Sequence, residues 1–225
     1  MIVIEKLRRI YNQGGLEVNA VNNVDLKISD GEFTAVVGPS GSGKTTLLNC
    51  IGGLDNPTSG KVIIDNEVIS SYSSDEMIKF RLNNIGFVFQ AYNLIQVLTA
   101  KENIEMIMLM QGYNKQDMDV RSRELLNEVG MGEMGERRPA QLSGGQQQRV
   151  AVARALASKP KFILADEPTA NLDSKSTAKL LDIMSRLNKQ ENITFVFSTH
   201  DQRVIDRARR VITIEDGKIL KDIKK

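Results

Sequence analysis

The stretch GPSGSGKT at residues 38–45 constrains the fold of this chain more than any other feature. It fits the pattern G-x-x-x-x-G-K-[ST] and lies between the apolar run FTAVV and the helix-like stretch TTLLNCI. That is the strand, loop and helix context in which the pattern binds phosphate groups. Average composition gives about one chance match per hundred chains of this length. We therefore expect a buried strand that leads into a phosphate-binding loop and a helix, which is an α/β arrangement.

Two further apolar runs also end in polar residues, FILA before Asp166 and ITFVF before the stretch STH at 198–200. Runs of this kind, separated by helical segments, predict buried strands of a parallel sheet. The stretch GKVIIDNEVI at 60–69 differs, because its DN turn between β-branched residues predicts an antiparallel hairpin. Helix formers dominate from about residue 91 to 157. We expect one domain over 1–225, with an α/β core of about 1–90 and 158–225 and a helical subdomain of about 91–157.

The charge balance is that of an ordinary globular protein, with 30 basic and 28 acidic side chains and a net charge of +2. This balance argues against a dedicated nucleic-acid surface. We interpret the cluster of Arg207, Arg209 and Arg210 and the ending KDIKK as solvated faces, with contact to a membrane surface as the less favoured alternative. The stretch MIMLM at 106–110 fits either core packing or an adaptable contact surface, and core packing is favoured.

The opening MIVIEKLRRIY is charged by the fifth residue and predicts a strand rather than a signal peptide. The uncharged run from Leu82 toward Ala100 contains Asn, Gln and Thr, which argues against a membrane span. Cys50 is the one cysteine and lies in a short apolar helix, where a small buried side chain is the favoured interpretation. These features predict a cytoplasmic protein.

The small residues of the loop allow backbone N–H groups to surround phosphates, and the start of the following helix adds positive potential. Lys44 would reach the outer phosphates and Thr45 would offer a hydroxyl to Mg²⁺. The predicted nucleotide-binding residues of this loop are Gly38, Ser40, Gly41, Ser42, Gly43, Lys44, Thr45 and Thr46.

Asp166 and Glu167 follow the second apolar run, where burial of two carboxylates costs free energy unless other groups compensate their charge. We interpret Asp166 as a metal ligand and Glu167 as the general base, with a solvated acidic turn opened by Pro168 as the alternative. His200 is the one histidine and ends the third run, at the strand end where ligands bind in doubly wound sheets. It is a candidate hydrogen-bond donor to a γ-phosphate.

A second glycine pair lies in LSGGQQQR at 142–149. Ser143 and Gln146 fit a capping box at a helix start, which leaves Gly144 and Gly145 unexplained. Glycine in a first helical turn costs about 0.5 to 1 kcal/mol relative to alanine, so a close approach to the backbone is expected. An anion satisfies that requirement. Because each motif occurs once, we expect two chains to face head to tail, each closing the site of the other.

With the P-loop, LSGGQ, FILADEP, NLD and STH in this order, the chain resembles the ATP-binding subunit of ABC transporters over nearly its whole length. The resemblance implies a P-loop NTPase α/β core with a mixed sheet, an antiparallel β subdomain and an inserted helical subdomain. It also implies a homodimer around two ATP molecules and hydrolysis coupled to a membrane partner. The resemblance implies that Tyr11 stacks on adenine, with a half-buried strand tyrosine as the alternative. It also implies that Gln90 approaches Mg²⁺ and the attacking water, and that Asp173 lies at the dimer interface.

The longer segments GFVFQAYNLIQVLTAKEN and ILADEPTANLDSKS are similar to the MacB and LolD branch, whose members act in macrolide or peptide export and lipoprotein release. The resemblance implies a permease subunit with few spans and a location on the inner face of the cell membrane. We expect residues 91–99, with exposed Tyr92, Leu94 and Val97, to meet that subunit. Gln96 and Ala170 depart from the residues common in the branch.

Three other functions share some of these features. A soluble ABC ATPase of DNA repair or translation would share the catalytic motifs but usually carries a coiled coil or a second ATPase domain. A GTPase is rejected, because NKQE at 188–191 has glutamate for the required aspartate and follows a helical pattern. An inactive structural ATPase is disfavoured by Glu167.

Overall fold

The computed structural model describes the backbone of residues 1–225 and the side chains of all of them except Gln13. The strands are β1 Ile2–Gln13, β2 Leu16–Ile28, β3 Phe33–Val37, β4 Ser59–Ile64, β5 Glu67–Val68, β6 Ile85–Val88, β7 Phe162–Asp166, β8 Thr194–Thr199, β9 Arg210–Glu215 and β10 Lys218–Lys224. The α-helices are α1 Lys44–Ile51, α2 Ser74–Asn84, α3 Ala100–Met110, α4 Lys115–Glu128, α5 Gly144–Ala157, α6 Ser174–Glu191 and α7 Gln202–Arg207. Short 3-10 turns cover Ile69–Ser71, Gly132–Met134 and Pro139–Gln141.

The chain divides into two compact units, the first formed by Met1–Arg81 with Thr194–Lys225 and the second by Leu82–Ile193. The first unit contains an antiparallel sheet in the order β2-β1-β4-β5. It also contains β3 between β8 and β9, parallel to both, with β10 antiparallel to β9. Parallel and antiparallel strand pairs therefore occur in the same sheet. This confirms the expected mixed sheet, and the structure also confirms the N-terminal strand and the 60–69 hairpin.

The core of the first unit is built from the apolar runs read in the sequence. Phe33 of β3 and Phe195 and Phe197 of β8 are fully buried, and the ring centroids of Phe33 and Phe197 lie 4.6 Å apart. Cys50 of α1 is buried as expected, and its burial raises the pKa of the thiol to about 12. A thiol in this environment stays protonated and acts as a small apolar side chain.

The second unit combines the parallel pair β6 and β7 with helices α3 to α6. Helix α5 contacts α3, α4, α6 and β6, and its residues 150–157 are all buried. The 106–110 stretch divides between core and surface, because Met108 is fully buried while Leu109 and Met110 are exposed. Residues 188–191 are helical, as the rejection of a GTPase motif requires. None of the described helices is both long and apolar enough to cross a membrane.

The prediction that Arg210 lies on a solvated face is wrong, because the residue is only 7% exposed. Its Nε and Nη2 donate to the Asp222 carboxylate at 2.7 and 2.6 Å, and its Nη1 donates to Glu32 at 2.8 Å. Nη1 also donates to the carbonyl of Lys27 at 2.7 Å. A guanidinium with two carboxylates and a carbonyl around it can be buried, whereas sequence position alone offers no such compensation. Arg207 and Arg209 are exposed, as predicted.

The Arg210 cluster predicts a loss of stability in acid. Burial opposes ionisation of Glu32, yet hydrogen bonds led by the one from Arg210 hold its pKa below the usual value. The Arg210 hydrogen bond likewise lowers the pKa of Asp222. Carboxyls with lowered pKa values contribute stability above their unfolded pKa values of about 4 and lose it as the pH falls through the folded values. The free energy of unfolding should therefore fall between about pH 5 and pH 2.

Arg210→Met tests the cluster by urea unfolding. At pH 7 it should lower the free energy of unfolding by about 3 to 5 kcal/mol, because two carboxylates lose their partner. At pH 3 the difference should shrink, since Glu32 and Asp222 are then increasingly protonated. Arg207→Met removes the same charge from an exposed position and should change the value by less than about 1 kcal/mol. A difference independent of pH would contradict the assignment.

Candidate functional site

The phosphate-binding loop, residues 38–45, joins β3 to α1 as predicted. Lys44 Nζ donates to the carbonyls of Gly38 and Pro39 at 2.9 Å each, so its ammonium lies within the loop. Gly43 precedes α1 with φ of 100°, and a Cβ there would lie 2.0 Å from the carbonyl oxygen of Ala20. Only glycine accepts both the left-handed conformation and the close approach.

The start of α1 differs from the starts of the longer helices. No side-chain hydrogen bond caps it among the described residues, whereas Thr99, Ser143 and Asp173 cap α3, α5 and α6. Inside the loop the hydroxyl of Ser42 is buried and has no hydrogen-bond partner in the described structure. Ser40, Gly41 and Thr45 are exposed. Uncapped N–H groups at a helix start attract an anion, and a phosphate meets that requirement.

Tyr11 of β1 lies beside this helix start, because its hydroxyl hydrogen-bonds Thr46 and donates to the Asp55 carboxylate. Arg9 pairs with the same carboxylate through Nε at 3.0 Å and Nη2 at 2.7 Å. The Arg9 guanidinium carbon also lies 4.5 Å from the centroid of the Tyr11 ring. The Tyr11 ring is thus half-buried, with the Arg9 guanidinium against one face. Stacking of adenine on this ring remains a prediction.

His200 follows β8 and is exposed. Because β3 and β8 are parallel and Val37 pairs with Thr199, Gly38 and His200 leave neighbouring strands at the same edge. The structure therefore brings the one histidine next to the start of the P-loop, as the sequence predicted. Its contact with a phosphate stays a prediction.

The carboxylates occupy the corresponding edge of the second unit. Asp166 ends β7, and Glu167 follows with φ of 45°, which is uncommon for a residue other than glycine. Strands β6 and β7 are parallel with Val88 opposite Ala165, so Gln90 leaves this edge beside the two carboxylates. Both carboxylates are half-buried and Gln90 is exposed. A left-handed backbone conformation at a residue other than glycine is compatible with the predicted catalytic role of Glu167.

The helix start at LSGGQ has the predicted capping box. The Ser143 hydroxyl accepts from the Gln146 N–H at 3.3 Å, and the Gln146 side chain accepts from the Ser143 N–H at 2.8 Å. A Cβ at Gly144 would lie 2.7 Å from the Tyr92 hydroxyl, and one at Gly145 would lie 2.7 Å from Ser176 Oγ. Packing within the chain is therefore a second reason for the glycine pair, beside the predicted anion.

Asp173 caps α6, since its carboxylate accepts from the N–H groups of Lys175 and Ser176 at 2.9 Å each. The Ser176 hydroxyl donates to it at 2.7 Å and is the main cause of its lowered pKa. The exposed carboxylate is thus ionised and oriented by its own chain. Its contact with a partner chain stays a prediction.

Residues 91–99 depart from the prediction at Leu94, which is 7% exposed and buried rather than available to a partner. Tyr92 is half-buried, and Val97 is 72% exposed as expected. The loop is folded around buried Asn103, whose side chain accepts from the Ile95 N–H at 2.8 Å and donates to the Thr99 carbonyl at 2.9 Å. The Asn103 amide, eight residues after Ile95, fixes the backbone of this loop, and the alternation of apolar residues does not indicate which of them is exposed.

Sequence reasoning missed the side chains that fix the backbone after β6, namely Gln148, Arg154 and Asn171. A signal was present for Arg154, because it interrupts the otherwise apolar run VAVARALA at 150–157, whereas Gln148 lies in the polar run QQQR at 146–149. Long polar side chains at such positions are buried only with partners.

A P-loop and a pair of carboxylates, each at the carboxyl end of parallel strands, define the class of P-loop NTPases. Residues 21–170 match the ABC transporter family, and the chain belongs to that family.

Individual relatives agree with this assignment. An ABC transporter ATP-binding protein of Methanocaldococcus jannaschii, MJ0796, is 44% identical over 228 residues, covering 100% of this chain and 97% of the relative. Its structure, described as a dimeric post-hydrolysis state bound to ADP and Pi, superposes with a TM-score of 0.94 at 42% identity, covering 100% and 98% of the two chains.

Two named relatives point to one branch. The lipoprotein-releasing system ATP-binding protein LolD of Pseudoalteromonas translucida is 41% identical over 97% of this chain and 94% of its own length. The macrolide export ATP-binding/permease protein MacB of Campylobacter jejuni is 47% identical over 92% of this chain, which spans 32% of MacB. The protein is an ABC ATPase of the MacB and LolD type, which confirms the predicted fold, family and ATPase activity. Transport, rather than DNA repair or translation, is the role that fits.

Proposed function

We propose that this protein is the ATP-hydrolysing subunit that drives an integral membrane permease with few spans, in export or lipoprotein release. It works as a homodimer with two ATP molecules between the subunits, on the inner face of the cell membrane. The observation that carries the proposal is the uncapped start of α1 behind Lys44, together with carboxylates at the end of β7. Support also comes from the relatives, whose names include an export permease and a lipoprotein-releasing system.

Each predicted residue has a role in this proposal. The P-loop N–H groups and Lys44 bind the phosphates, and Tyr11 stacks on the base with its other face against Arg9. Glu167 accepts the proton of the attacking water, while His200 donates to the γ-phosphate. Ser143 donates its hydroxyl hydrogen to the partner-bound γ-phosphate while still accepting from the Gln146 N–H, as a hydroxyl can do both.

The predicted magnesium ligands fit that ion chemically. Thr45, Gln90 and Asp166 offer a hydroxyl, an amide carbonyl and a carboxylate, which are oxygen ligands of the kind Mg²⁺ prefers. Thr45 and Gln90 are exposed and Asp166 is half-buried, so an ion arriving with ATP can reach them. When bound, Mg²⁺ neutralises charge that develops on the phosphate oxygens.

The hydrolytic part of the proposal is tested with the purified chain. ATP hydrolysis should require magnesium and should rise more than linearly with protein concentration, because two chains complete each site. Activity that is independent of magnesium, or strictly linear in protein, would contradict the shared site.

The membrane partner is tested by crosslinking in the source cell. A photo-crosslinking residue at Val97, 72% exposed, should capture a few-span membrane protein with a large outer domain. The matched control is Val120 of α4, 53% exposed and outside the 91–99 loop, which should capture none of it. Capture of ribosomal or DNA-repair proteins at Val97 would overturn the transport assignment.

A further inference from the structure

The backbone of residues 89–93, called here the Q segment, is held by side chains from outside it. Arg154 of α5 donates from Nη2 to the Tyr92 carbonyl at 2.8 Å and from Nη1 to the Asn93 carbonyl. Both residues have left-handed backbone conformations, with φ of 55° and 50°. Arg154 is 9% exposed, and its burial lowers the pKa of the guanidinium. A buried fork of N–H groups therefore stabilises two consecutive residues in a conformation that tyrosine rarely adopts.

Gln148, one helical turn and a half earlier on α5, makes the second attachment. It is fully buried, and its Nε2 donates to the Pro168 carbonyl at 2.8 Å and to the Phe89 carbonyl at 3.4 Å. Asn171 adds a third attachment by donating to the Gln90 carbonyl at 3.0 Å. Gln148 thus joins the residue before Gln90 to the residue after Glu167.

The start of the same helix also packs against the Q segment, because a Cβ added at Gly144 would lie only 2.7 Å from the Tyr92 hydroxyl. Helix α5 is therefore attached to the Q segment at three levels, through Gly144, Gln148 and Arg154. Its buried face has little freedom to move independently of the backbone that carries Gln90.

We propose that Gln148 and Arg154 are positioning residues of the ATPase. They transmit the placement of the LSGGQ helix to Gln90 and to the backbone beside Glu167. In the dimer, LSGGQ serves the partner's ATP while Gln90 and Glu167 serve the chain's own ATP. A phosphate bound at the start of α5 thereby changes the position of Gln90 and of the backbone beside Glu167 in the same chain. This inference rests on the proposed function, since it needs both ATP molecules.

The test compares Arg154→Lys with Arg149→Lys on the same helix. Lysine keeps the charge but cannot donate to two carbonyls in the fork geometry. Arg154→Lys should lower kcat at saturating ATP by about 10-fold or more, since a misplacement of about 1 Å can reduce a rate by about 100-fold. The dissociation constant for ATP should stay within about twofold, because the P-loop is untouched. Arg149, whose hydrogen bond goes to the sulfur of Met131, should tolerate lysine with kcat within about twofold.

A second variant tests the same inference independently, in case Arg154→Lys fails to fold. Gln148→Met keeps the volume of the buried side chain but has no N–H donor, and it should also lower kcat with little change in ATP affinity. Assays are run well below the melting temperature of each variant, so that a stability loss alone leaves kcat unchanged. Added to Glu167→Gln, neither substitution should abolish the ATP-driven dimer, because the start of α5 is intact.

The outcomes separate the inference from the proposed function. An inactive wild-type protein overturns both. An active wild type with unchanged kcat in Arg154→Lys and Gln148→Met overturns the inference alone. Equal losses of ATP affinity and kcat would also overturn it, because they indicate general damage to the fold.

Discussion

Glu167→Gln is expected to lower kcat for ATP hydrolysis by about 100-fold to 10,000-fold, which is the range that general-base catalysis contributes. The amide keeps the size of the side chain but cannot accept the proton of the attacking water at neutral pH. The P-loop, Lys44 and the start of α5 are unchanged, so ATP binding should persist. The variant should therefore accumulate as an ATP-bound dimer.

The measurement combines a steady-state ATPase assay with light scattering at saturating ATP and magnesium. Glu136→Gln makes the same change at an exposed position and should retain the wild-type rate and the wild-type monomer fraction. A Glu167→Gln protein that remains entirely monomeric with bound ATP would count against nucleotide shared between two chains. Retention of substantial activity would show that another group accepts the proton.

Gly144→Ala is expected to weaken ATP-driven dimerisation by about 100-fold while ATP binding to the monomer stays nearly constant. The added methyl group obstructs the approach of a phosphate to the N–H groups at the start of α5. A hydrogen bond to a charged group contributes about 1.5 to 3 kcal/mol, and the dimer contains two such sites. A total of about 3 kcal/mol corresponds to about 100-fold.

The structure requires a control for this variant, because the new Cβ would lie 2.7 Å from the Tyr92 hydroxyl. Tyr92→Phe removes that oxygen, and the nearest ring carbon would be 3.7 Å away, which is an ordinary contact. The comparison is therefore between Tyr92→Phe alone and the double variant with Gly144→Ala. Gly145 is less suitable, since a Cβ there also lies 2.9 Å from the Cβ of Ser176.

Dimerisation is measured in the Glu167→Gln background, where ATP is not consumed. A double variant that dimerises as well as Tyr92→Phe alone would mean that no anion approaches Gly144. A parallel loss of monomer ATP binding would mean that the glycine serves folding.

The candidate site could be predicted from the sequence because its residues lie in short contiguous stretches. The P-loop, the Asp166 and Glu167 pair and the Ser143 capping box each depend on neighbours within a few positions. Their strands were also readable, since an apolar run must be buried wherever the chain places it. The parallel register of β3 with β8 brings Gly38 and His200 to one edge.

Only the tertiary structure decided which polar side chains are buried and which loop residues face outward. Arg210 meets Glu32 at a separation of 178 residues, and Gln148 meets Phe89 at a separation of 59. Burial of a charge or an amide depends on such distant partners, and no local pattern encodes them. Leu94 is buried although the local pattern predicts it to be exposed, in a loop whose backbone is hydrogen-bonded by the Asn103 side chain of α3. The sequence by itself determined the motifs that carry the proposed catalytic groups and the strands that lead to them, because both depend on neighbours along the chain, and the fold determined what holds those groups in place.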